Sequence, residues 1–463
     1  MNVPRVLIAG ARGGSGKTII SLGLVAALRK QGRRVAPFKK GPDYIDAAWL
    51  AHAAERPCRN LDLFLMSRQT ILRSFVSAAG AAEVAVIEGN RGLYDGMDAH
   101  GTYSTAEVAK LLQTPVVLAV DCTKTSRTAA ALVLGCQRLD PEVPLRGVIL
   151  NQTAGPRHVS VLREAVEEAC GLPVLGAVAR IPQQLFPERH LGLVPPQEHE
   201  RQSGAIREVT EVAEQYLDLE AIWGLAREAP PLELPNEDPS AGDGPKRPAV
   251  RIGLFRDEAF QFYYPENLEA LTREGAELIE VSPLGDAELP EVDALYIGGG
   301  FPETLAPALT GNKPFLDSLR LEVEKGLPVY AECGGTVFLG EKLIYNEQQY
   351  AMAGVLPVEF VFHHKARGHG YAVLETVEEN PYYRVGDSLR GHEFHYTCMA
   401  SPAAEDLTFV FRVRRGYGFD GRRDGLCHGN VLACYTHVHA LGVESWAPSM
   451  VQAAVRFKSR ATA

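Results

Sequence analysis

The chain has 463 residues, enough for two to four domains at roughly 100–200 residues per domain. Hydrophobic residues make up 46% and charged residues 22%, which excludes a disordered chain and a coiled coil. The net charge of −10 disfavours a general nucleic-acid binder, and no apolar run reaches the roughly 18 residues of a membrane span. A short apolar N-terminus and eight scattered cysteines without a CxxC pair predict no signal peptide, reduced thiols, no membrane partner and a cytoplasmic location.

The first part of the chain alternates short apolar strands with helical patterns. Residues 18–31 place apolar side chains four apart, which predicts a helix that stops at Gly32. Ser104 and Glu107 have the spacing of a capping box, which predicts a second helix through Leu112. This alternation predicts an α/β fold with a mostly parallel sheet covered by helices. The predicted strands are RVLIA (5–9), VAPF (35–38), VAVIE (84–88), VVLAVD (116–121) and GVILN (147–151).

A boundary follows at residues 227–249, where six prolines stand among acidic and small residues. Such a composition forms neither a good helix nor a good strand, so we expect a semi-extended linker. It would separate a first domain, 1–226, from a second, 250–463. The second part predicts another α/β sheet with added antiparallel strands. Its clearest predicted strands are VRIGLF (250–255), ALYI (294–297) and VYAE (329–332).

The segment RVLIAGARGGSGKT predicts a phosphate-binding loop, because a buried strand leads through glycines into Lys-Thr and a helix. Backbone N–H groups would hold the phosphates, Lys17 would neutralise the β and γ oxygens, and Thr18 would ligate Mg²⁺. Ala11 replaces the first glycine of the strict pattern. Arg12 stands where the deviant form of this loop carries lysine, and either contacts phosphate or is solvated. The predicted nucleotide contacts are Gly13, Gly14, Ser15, Gly16, Lys17 and Thr18.

Acidic residues follow the predicted strands at the edge where parallel sheets bind ligands. Glu88 ends a strand and is predicted to be a second Mg²⁺ ligand or a water-orienting acid. Asp43 and Asp46 follow strand 35–38, and Asp95 lies in a Gly-rich loop. Each Asp is also a common turn residue, so a turn role stays open. Asn151 ends a strand and could bond an adenine edge. The predicted metal ligands are Thr18, Asp46 and Glu88.

In the second part, Cys333 follows a strand and precedes two glycines. A nucleophile on a sharp turn needs small neighbours, and the N–H of Gly334 would face a developing oxyanion. Gly299, in the triple-glycine loop after an earlier strand, is the predicted second donor. A thiol also needs a base, and His437 lies about a hundred residues downstream. The alternative is that Cys333 is a small buried hydrophobe.

These motifs resemble the cobyrinic acid a,c-diamide synthase family along almost the whole chain. The resemblance implies an N-terminal ligase domain like that of dethiobiotin synthetases and a C-terminal class I glutaminase-like domain. The motifs that carry it are GGSGKT (13–18), KKGPDYID (39–46), EGNRGLYDG (88–96), AECGG (331–335), GHEFHY (391–396) and YTHVH (435–439).

By this resemblance the chain would use ATP with Mg²⁺, and glutamine, to amidate two carboxylates of cobyrinic acid through an acyl phosphate. Asp43, Glu88 and Asp95 would fall where the family places acids for metal, phosphate or corrin chemistry. Cys333 would be the glutaminase nucleophile and His437 its base. Ordinary class I glutaminases carry Glu two residues after the His, where this chain has His439. The third member of the triad is therefore open, and Glu393 in GHEFHY is another candidate.

Several alternatives remain at this stage. The same amidation could act on hydrogenobyrinic acid or nickel-sirohydrochlorin, and a P-loop ATPase of the partitioning type is a different class. The presence of cobalt, the order of the two amidations and the oligomeric state are open, a homodimer included. A substrate with many carboxylates would need local positive charge, for which Lys39, Lys40 and Arg91 are candidates in predicted loops.

Overall fold

The computed structural model describes residues 2–180, 188–189, 192–198, 202–233, 246–400 and 407–461. They form two compact units, Met1–Asn236 and Glu237–Ala463. Residues 234–245 of the predicted linker lie outside the described residues, so the predicted domain limits stay a prediction. None of the helices in the described part of the chain combines the length and apolarity needed to cross a bilayer.

The first unit is built on a parallel sheet, as its alternating pattern predicted. Its strands are β1 (Arg5–Gly10), β2 (Val35–Lys40), β3 (Arg59–Leu61), β4 (Val84–Glu88), β5 (Val116–Asp121), β6 (Leu145–Thr153), β7 (Val174–Ala179), β8 (Glu188–Arg189) and β9 (Gly192–Leu193). Strands β1 to β7 pair in parallel in the order β3-β2-β4-β1-β5-β6-β7. Glu88 is in register with both Lys39 and Ile8, so the carboxyl ends of three strands meet at one edge.

The helices of the first unit are α1 (Lys17–Lys30), α2 (Ile45–Ala54), α3 (Arg68–Ala79), α4 (Thr105–Leu111), α5 (Arg127–Leu139), α6 (Pro156–Cys170), α7 (Gln202–Tyr216) and α8 (Leu219–Arg227). Helix α4 begins where predicted, but the prediction of a capping box is wrong. Ser104 makes no side-chain cap bond, its N–H donates to Gly101 O at 2.9 Å, and Glu107 pairs with Lys110 at 2.7 Å. The preceding turn has already satisfied the N–H that Glu107 would have accepted from.

The described residues of the second unit form sixteen strands, ten of which make one mixed sheet. The sixteen strands are β10 (Val250–Phe255), β11 (Phe260–Phe262), β12 (Ala276–Val281), β13 (Ala294–Ile297), β14 (Gly299–Gly300), β15 (Val329–Glu332), β16 (Gly340–Tyr345), β17 (Gln348–Ala351), β18 (Leu356–Phe362), β19 (Gly368–Thr376), β20 (Ser388–His395), β21 (Thr397–Met399), β22 (Thr408–Arg415), β23 (Arg423–His428), β24 (Val431–Cys434) and β25 (His437–Val438). The large sheet runs β12-β10-β13-β15-β24-β23-β22-β19-β20-β25, parallel as far as β24 and antiparallel beyond it. The predicted antiparallel addition is confirmed.

Two hydrophobic clusters cover the two faces of this sheet. Alternate residues of β13 divide between them: Leu295 and Ile297 join one cluster, Ala294 and Tyr296 the other. This is the period of two that a strand buried on both faces requires. The helices that pack on the sheet are α9 (Pro265–Arg273), α10 (Ala306–Gly311), α11 (Lys313–Glu324), α12 (Gly334–Leu339) and α13 (Trp446–Ala461). The packed core holds the end of β15, and thus Cys333, in a fixed place.

Candidate functional site

The predicted phosphate loop connects β1 to α1 and is closed by its own polar groups. Ser15 Oγ donates to Arg12 O at 2.9 Å and accepts from Arg12 N at 3.2 Å. Gly16 has φ of 82°, and a Cβ there would lie 2.0 Å from Asn151 Nδ2. Only glycine fits this left-handed, crowded position. The loop therefore has the compact shape in which successive N–H groups can surround an anion.

Asn151 lies beneath this loop, where its side-chain N–H group donates to Ser15 O at 2.9 Å. That bond holds the loop in place. The role in adenine binding stays a prediction. Lys17 packs back across the loop, since a Cβ on Gly10 would be 3.1 Å from Lys17 Cδ. Burial, together with the charge of Lys39, lowers the pKa of Lys17.

Arg12 makes an ion pair at the edge of the phosphate loop. Its side chain is 67% exposed, and its guanidinium pairs with Asp121 at 2.6 Å. Asp121 ends β5 and also accepts from Thr123 N at 2.8 Å. The arginine side chain thus rests on an acid at the same edge of the sheet, and its contact with a phosphate stays a prediction.

The predicted metal ligands meet around Thr18 at the start of α1. Thr18 Oγ1 donates to Glu88 Oε1 at 2.8 Å and lies 3.5 Å from Asp46 Oδ2. Lys39 Nζ contacts the same two oxygens, at 2.9 Å from Glu88 and 2.6 Å from Asp46. Burial raises the pKa of Glu88, and the ammonium of Lys39 opposes that rise. The structure therefore brings together all three predicted ligands, with a lysine ammonium among them.

The sequence placed Lys39 and Lys40 in a loop, and this is wrong. Both end β2, where Lys39 is 1% and Lys40 5% exposed. The apolar pattern ended at Phe38, but β3 pairs with β2 from Phe38 to Lys40 and extends the strand. Asp46 and Glu88 compensate the charge of Lys39, and the charge of Asp62 acts on Lys40. Both side chains are buried, and their role toward a substrate stays a prediction. Arg91 is exposed and has φ of 50° in its loop.

Asp43 and Asp95 both take part in turns. Asp43 Oδ1 accepts from Asp46 N at 2.9 Å at the start of α2, and burial followed by the charge of Asp46 raises the pKa of Asp43 to about 6. Asn60, which the sequence did not single out, donates to Asp43 O at 3.0 Å and fixes this loop. Asp95 is exposed, and its Oδ2 accepts from Gly92 N at 2.8 Å. Their roles toward substrate stay predictions.

Cys333 lies on a sharp turn between β15 and α12. Its φ of 49° and ψ of −103° are strained for a residue with a side chain, as in other strand-to-helix nucleophile turns. The N–H of Cys333 donates to Cys434 O at 2.7 Å, and the thiol lies 3.8 Å from Phe394 O. Burial, followed by the charge of Glu303, raises the pKa of the thiol well above its usual range. Such a thiol needs a base to become a nucleophile.

His437 is held beside this turn by the residue that precedes the cysteine. Glu332 Oε2 lies 3.2 Å from His437 Nδ1, and Glu332 Oε1 accepts from Val438 N at 3.2 Å. Glu332 is fully buried. The imidazole also stacks on His392, with ring centroids 4.9 Å apart. Sequence reasoning missed Glu332 and His392, since each lies far from His437 in the chain.

The two candidates for a third triad member lie elsewhere. His439 Nε2 is 3.7 Å from Glu266 Oε2, and its ring packs 4.5 Å from that of Tyr264. Glu393 accepts from the N–H groups of Tyr417 and Gly418. Neither position gives these side chains the contact with His437 Nδ1 that Glu332 has.

The two predicted oxyanion donors belong to loops in contact. A Cβ on Gly334 would lie 2.9 Å from Gly300 N, so the Cys333 turn packs directly on the glycine loop. A Cβ on Gly299 would lie 2.7 Å from His437 Cε1. The glycines allow both the turn and the imidazole to approach this loop. Their donor roles stay predictions.

We expect Gly299→Ala to lower glutamine-dependent activity by about 10- to 100-fold, because displacing a reacting group by about 1 Å has effects of that size. The added methyl would push on His437. Gly311→Ala is the matched control, since a Cβ there meets nothing within 4 Å. The measurement is glutamate released from glutamine by each variant. Equal glutaminase activity in both variants would show that the protein accommodates the added methyl without moving His437.

Among the residues that the structure describes, no set of three or more His, Cys, Asp or Glu side chains is arranged to hold a metal ion. A cavity of about 440 Å³ lies in the first unit, lined by residues that include Lys110, Glu142, Arg146 and Pro230. Several of these residues precede β5 and β6, at the edge of the sheet away from the phosphate loop.

Comparison with known proteins assigns a domain family to a large part of each unit. A CobQ/CobB/MinD/ParA nucleotide binding domain matches residues 6–190, and a CobB/CobQ-like glutamine amidotransferase domain matches residues 251–444. The cobyrinate a,c-diamide synthase of Magnetococcus marinus is 44% identical over 97% of this chain and 97% of its own. Those of Archaeoglobus fulgidus and Methanosarcina acetivorans are 43% and 39% identical, each over 99% of this chain. The chain belongs to the cobyrinate a,c-diamide synthase family.

Membership of this family confirms the resemblance drawn from the motifs. The chain is an enzyme, a ligase that forms C–N bonds with glutamine as nitrogen donor. Its α/β fold joins a nucleotide-binding unit to an amidotransferase unit. A partitioning ATPase is not supported, because the full-length relatives also cover the amidotransferase part.

Proposed function

We propose that the chain amidates the a and c carboxylates of cobyrinic acid, with ATP and glutamine as co-substrates. The observation that carries this proposal is the presence, in one chain, of a phosphate loop with an acid cluster and of a buried cysteine turn whose preceding residue, Glu332, contacts His437. The first can activate a carboxylate, and the second can release ammonia. The relatives named cobyrinate a,c-diamide synthase support the choice of substrate.

The acid cluster of the first unit fits Mg²⁺. This ion prefers oxygen ligands and is commonly held by one or two carboxylates together with phosphates. Thr18, Asp46 and Glu88 supply oxygens of the right kind, and Glu88 Oε2 is buried without a hydrogen bond from any described residue. These three side chains would hold the ion. When bound, it would neutralise charge on the transferred phosphoryl group.

The ligase half must make a carboxylate reactive, because oxide is a poor leaving group. A carboxylate oxygen of the substrate attacks the γ-phosphorus of ATP, and ADP leaves. Ammonia then adds to the acyl carbon, phosphate leaves, and an amide remains after loss of a proton. The N–H groups of the phosphate loop and the ammonium of Lys17 would bind the phosphates, and Asn151 holds that loop in shape.

The glutaminase half is covalent catalysis. The sulfur of Cys333 attacks the side-chain amide carbon of glutamine while His437 takes the thiol proton. His437 returns that proton to the leaving nitrogen, ammonia departs, and a thioester remains. Water then hydrolyses the thioester to glutamate. The N–H groups of Gly334 and Gly299 would stabilise the oxyanion at both stages.

The test is to incubate the enzyme with glutamine, Mg-ATP and cobyrinic acid and to measure the products by mass spectrometry. We expect two acid-to-amide exchanges, with a monoamide as an intermediate. Hydrogenobyrinic acid and nickel-sirohydrochlorin are run in parallel. Exchange on either of these, with none on cobyrinic acid, would overturn the assigned substrate and keep the amidation.

A further inference from the structure

We propose that Glu332 is the positioning residue of the glutaminase, holding the His437 imidazole with Nδ1–H toward the carboxylate so that Nε2 is the atom that takes the proton of the Cys333 thiol. This rests on the proposed glutaminase function. The pattern of ordinary class I glutaminases predicts this residue two positions downstream of the histidine, where this chain carries His439. The geometry assigns the role to the residue directly before the nucleophile.

The position of Glu332 follows from the register of the sheet. Glu332 is the last residue of β15 and lies opposite Cys434 of β24, so three more residues of chain lead from Cys434 to His437. The carboxylate then reaches both the backbone and the side chain of β25. Oε1 accepts from Val438 N and Oε2 lies against His437 Nδ1, each at 3.2 Å. One carboxylate thus fixes both the backbone position of β25 and the orientation of the His437 imidazole.

The carboxylate is itself held from a third strand. Tyr296 of β13 donates its hydroxyl to Glu332 Oε2 at 3.3 Å, and Asn267 donates to that hydroxyl oxygen at 3.2 Å. Asn267 also bonds Val438 O at 3.0 Å and Ala440 N at 2.7 Å. The network connects α9, β13, β15 and β25. Buried polar networks with their partners satisfied fix a unique arrangement, which a positioning residue requires.

The other charged groups near His437 cannot replace this carboxylate. His392 stacks on the His437 ring from the neighbouring strand β20, and burial together with the charge of His437 lowers the pKa of His392 well below the usual range. An imidazole carries no negative charge in either protonation state. Glu303 acts on the thiol and opposes its ionisation. Cys333 is the proton donor in the reaction. Glu332 is therefore the acid that stabilises the imidazolium when His437 takes the thiol proton.

The test compares Glu332→Gln, Glu332→Asp and Glu393→Gln. In other acyl-transfer triads, neutralising the orienting carboxylate lowers kcat by about 10⁴-fold. We expect Glu332→Gln to lower the kcat of glutamine hydrolysis by at least about 100-fold, with KM for glutamine changed less than about threefold. Glu332→Asp keeps the charge and should lie between this variant and the parent. Glu393→Gln tests the competing acid, whose bonds go to other strands.

A second readout follows the thiolate directly. Alkylation of Cys333 by iodoacetamide, measured by mass spectrometry of its peptide across pH, reports the fraction of thiolate. An imidazolium stabilised by Glu332 in turn stabilises the Cys333 thiolate, so alkylation continues at lower pH. In Glu332→Gln we expect the rise in alkylation to move upward by about one pH unit or more. A merely structural role would leave that profile in place.

Three results would overturn the inference. They are an unchanged alkylation profile in Glu332→Gln, a rise in KM with kcat unchanged, and a profile that moves in Glu393→Gln instead. The proposed glutaminase function fails separately, if Cys333→Ala keeps glutamine-dependent activity. If Cys333→Ala loses glutamine-dependent activity while Glu332→Gln keeps the parent kcat and alkylation profile, only the role of Glu332 is wrong.

Discussion

Replacing Cys333 by alanine should abolish glutamine-dependent amidation and leave ammonium-dependent amidation within about twofold of the parent enzyme. The nucleophile is absolutely required for the thioester, and removing one such group costs about 10⁶-fold in comparable triads. The phosphate loop, Thr18 and Glu88 are untouched, so carboxylate activation persists. The measurement is amide formation on the tetrapyrrole with glutamine and, separately, with ammonium chloride.

Cys427→Ala serves as the control for this experiment. Its thiol is half-buried in β23 and lies 3.8 Å from Gly429 O, away from the contacts made by Cys333 and His437. Both activities should survive in this variant. If Cys333→Ala loses ammonium-dependent amidation too, while its folding is intact by thermal unfolding, the assignment of the two half-reactions to separate groups is wrong.

Much of the fold follows from sequence periodicity. Continuous apolar runs between helical patterns predicted the strands now labelled β1, β2, β4, β5 and β6. The limits of β2 were less predictable. A strand pattern ends where charge begins, but Lys39 continues the strand because Asp46 and Glu88 compensate its charge. Local sequence does not contain those partners, which come from β4 and α2.

The candidate site divides in the same way. Residues that belong to one local motif, such as Gly16, Lys17 and Cys333, could be selected as candidates because the turn and its polar groups are adjacent in sequence. Glu332 could not, because its partner His437 lies 105 residues downstream and only the pairing of β15 with β24 brings them together. The alternation of side chains along β15 does not predict this contact either, because the strained turn at Cys333 interrupts that alternation.

Replacing Glu88 by glutamine should lower both amidations by about 10²–10³-fold or more, since every phosphoryl transfer uses the same charge stabilisation. Glu88 is fully buried, and its Oε1 joins Thr18 to Lys39. Glutamine has the same shape but no charge, so the site would lose affinity for a divalent cation. The measurement is the yield of monoamide and diamide over time, with ammonium as nitrogen donor.

Asp95→Asn is the matched comparison, because it also exchanges a carboxylate for an amide near the phosphate loop. Asp95 is exposed, and the asparagine oxygen can still accept from Gly92 N. Its Gly-flanked loop is suited to approaching a large ligand, and a macrocycle must be re-seated between the two amidations. We therefore expect this variant to retain part of the first amidation and to accumulate monoamide. Equal loss of both products in Asp95→Asn would return Asp95 to ATP chemistry or to a turn role.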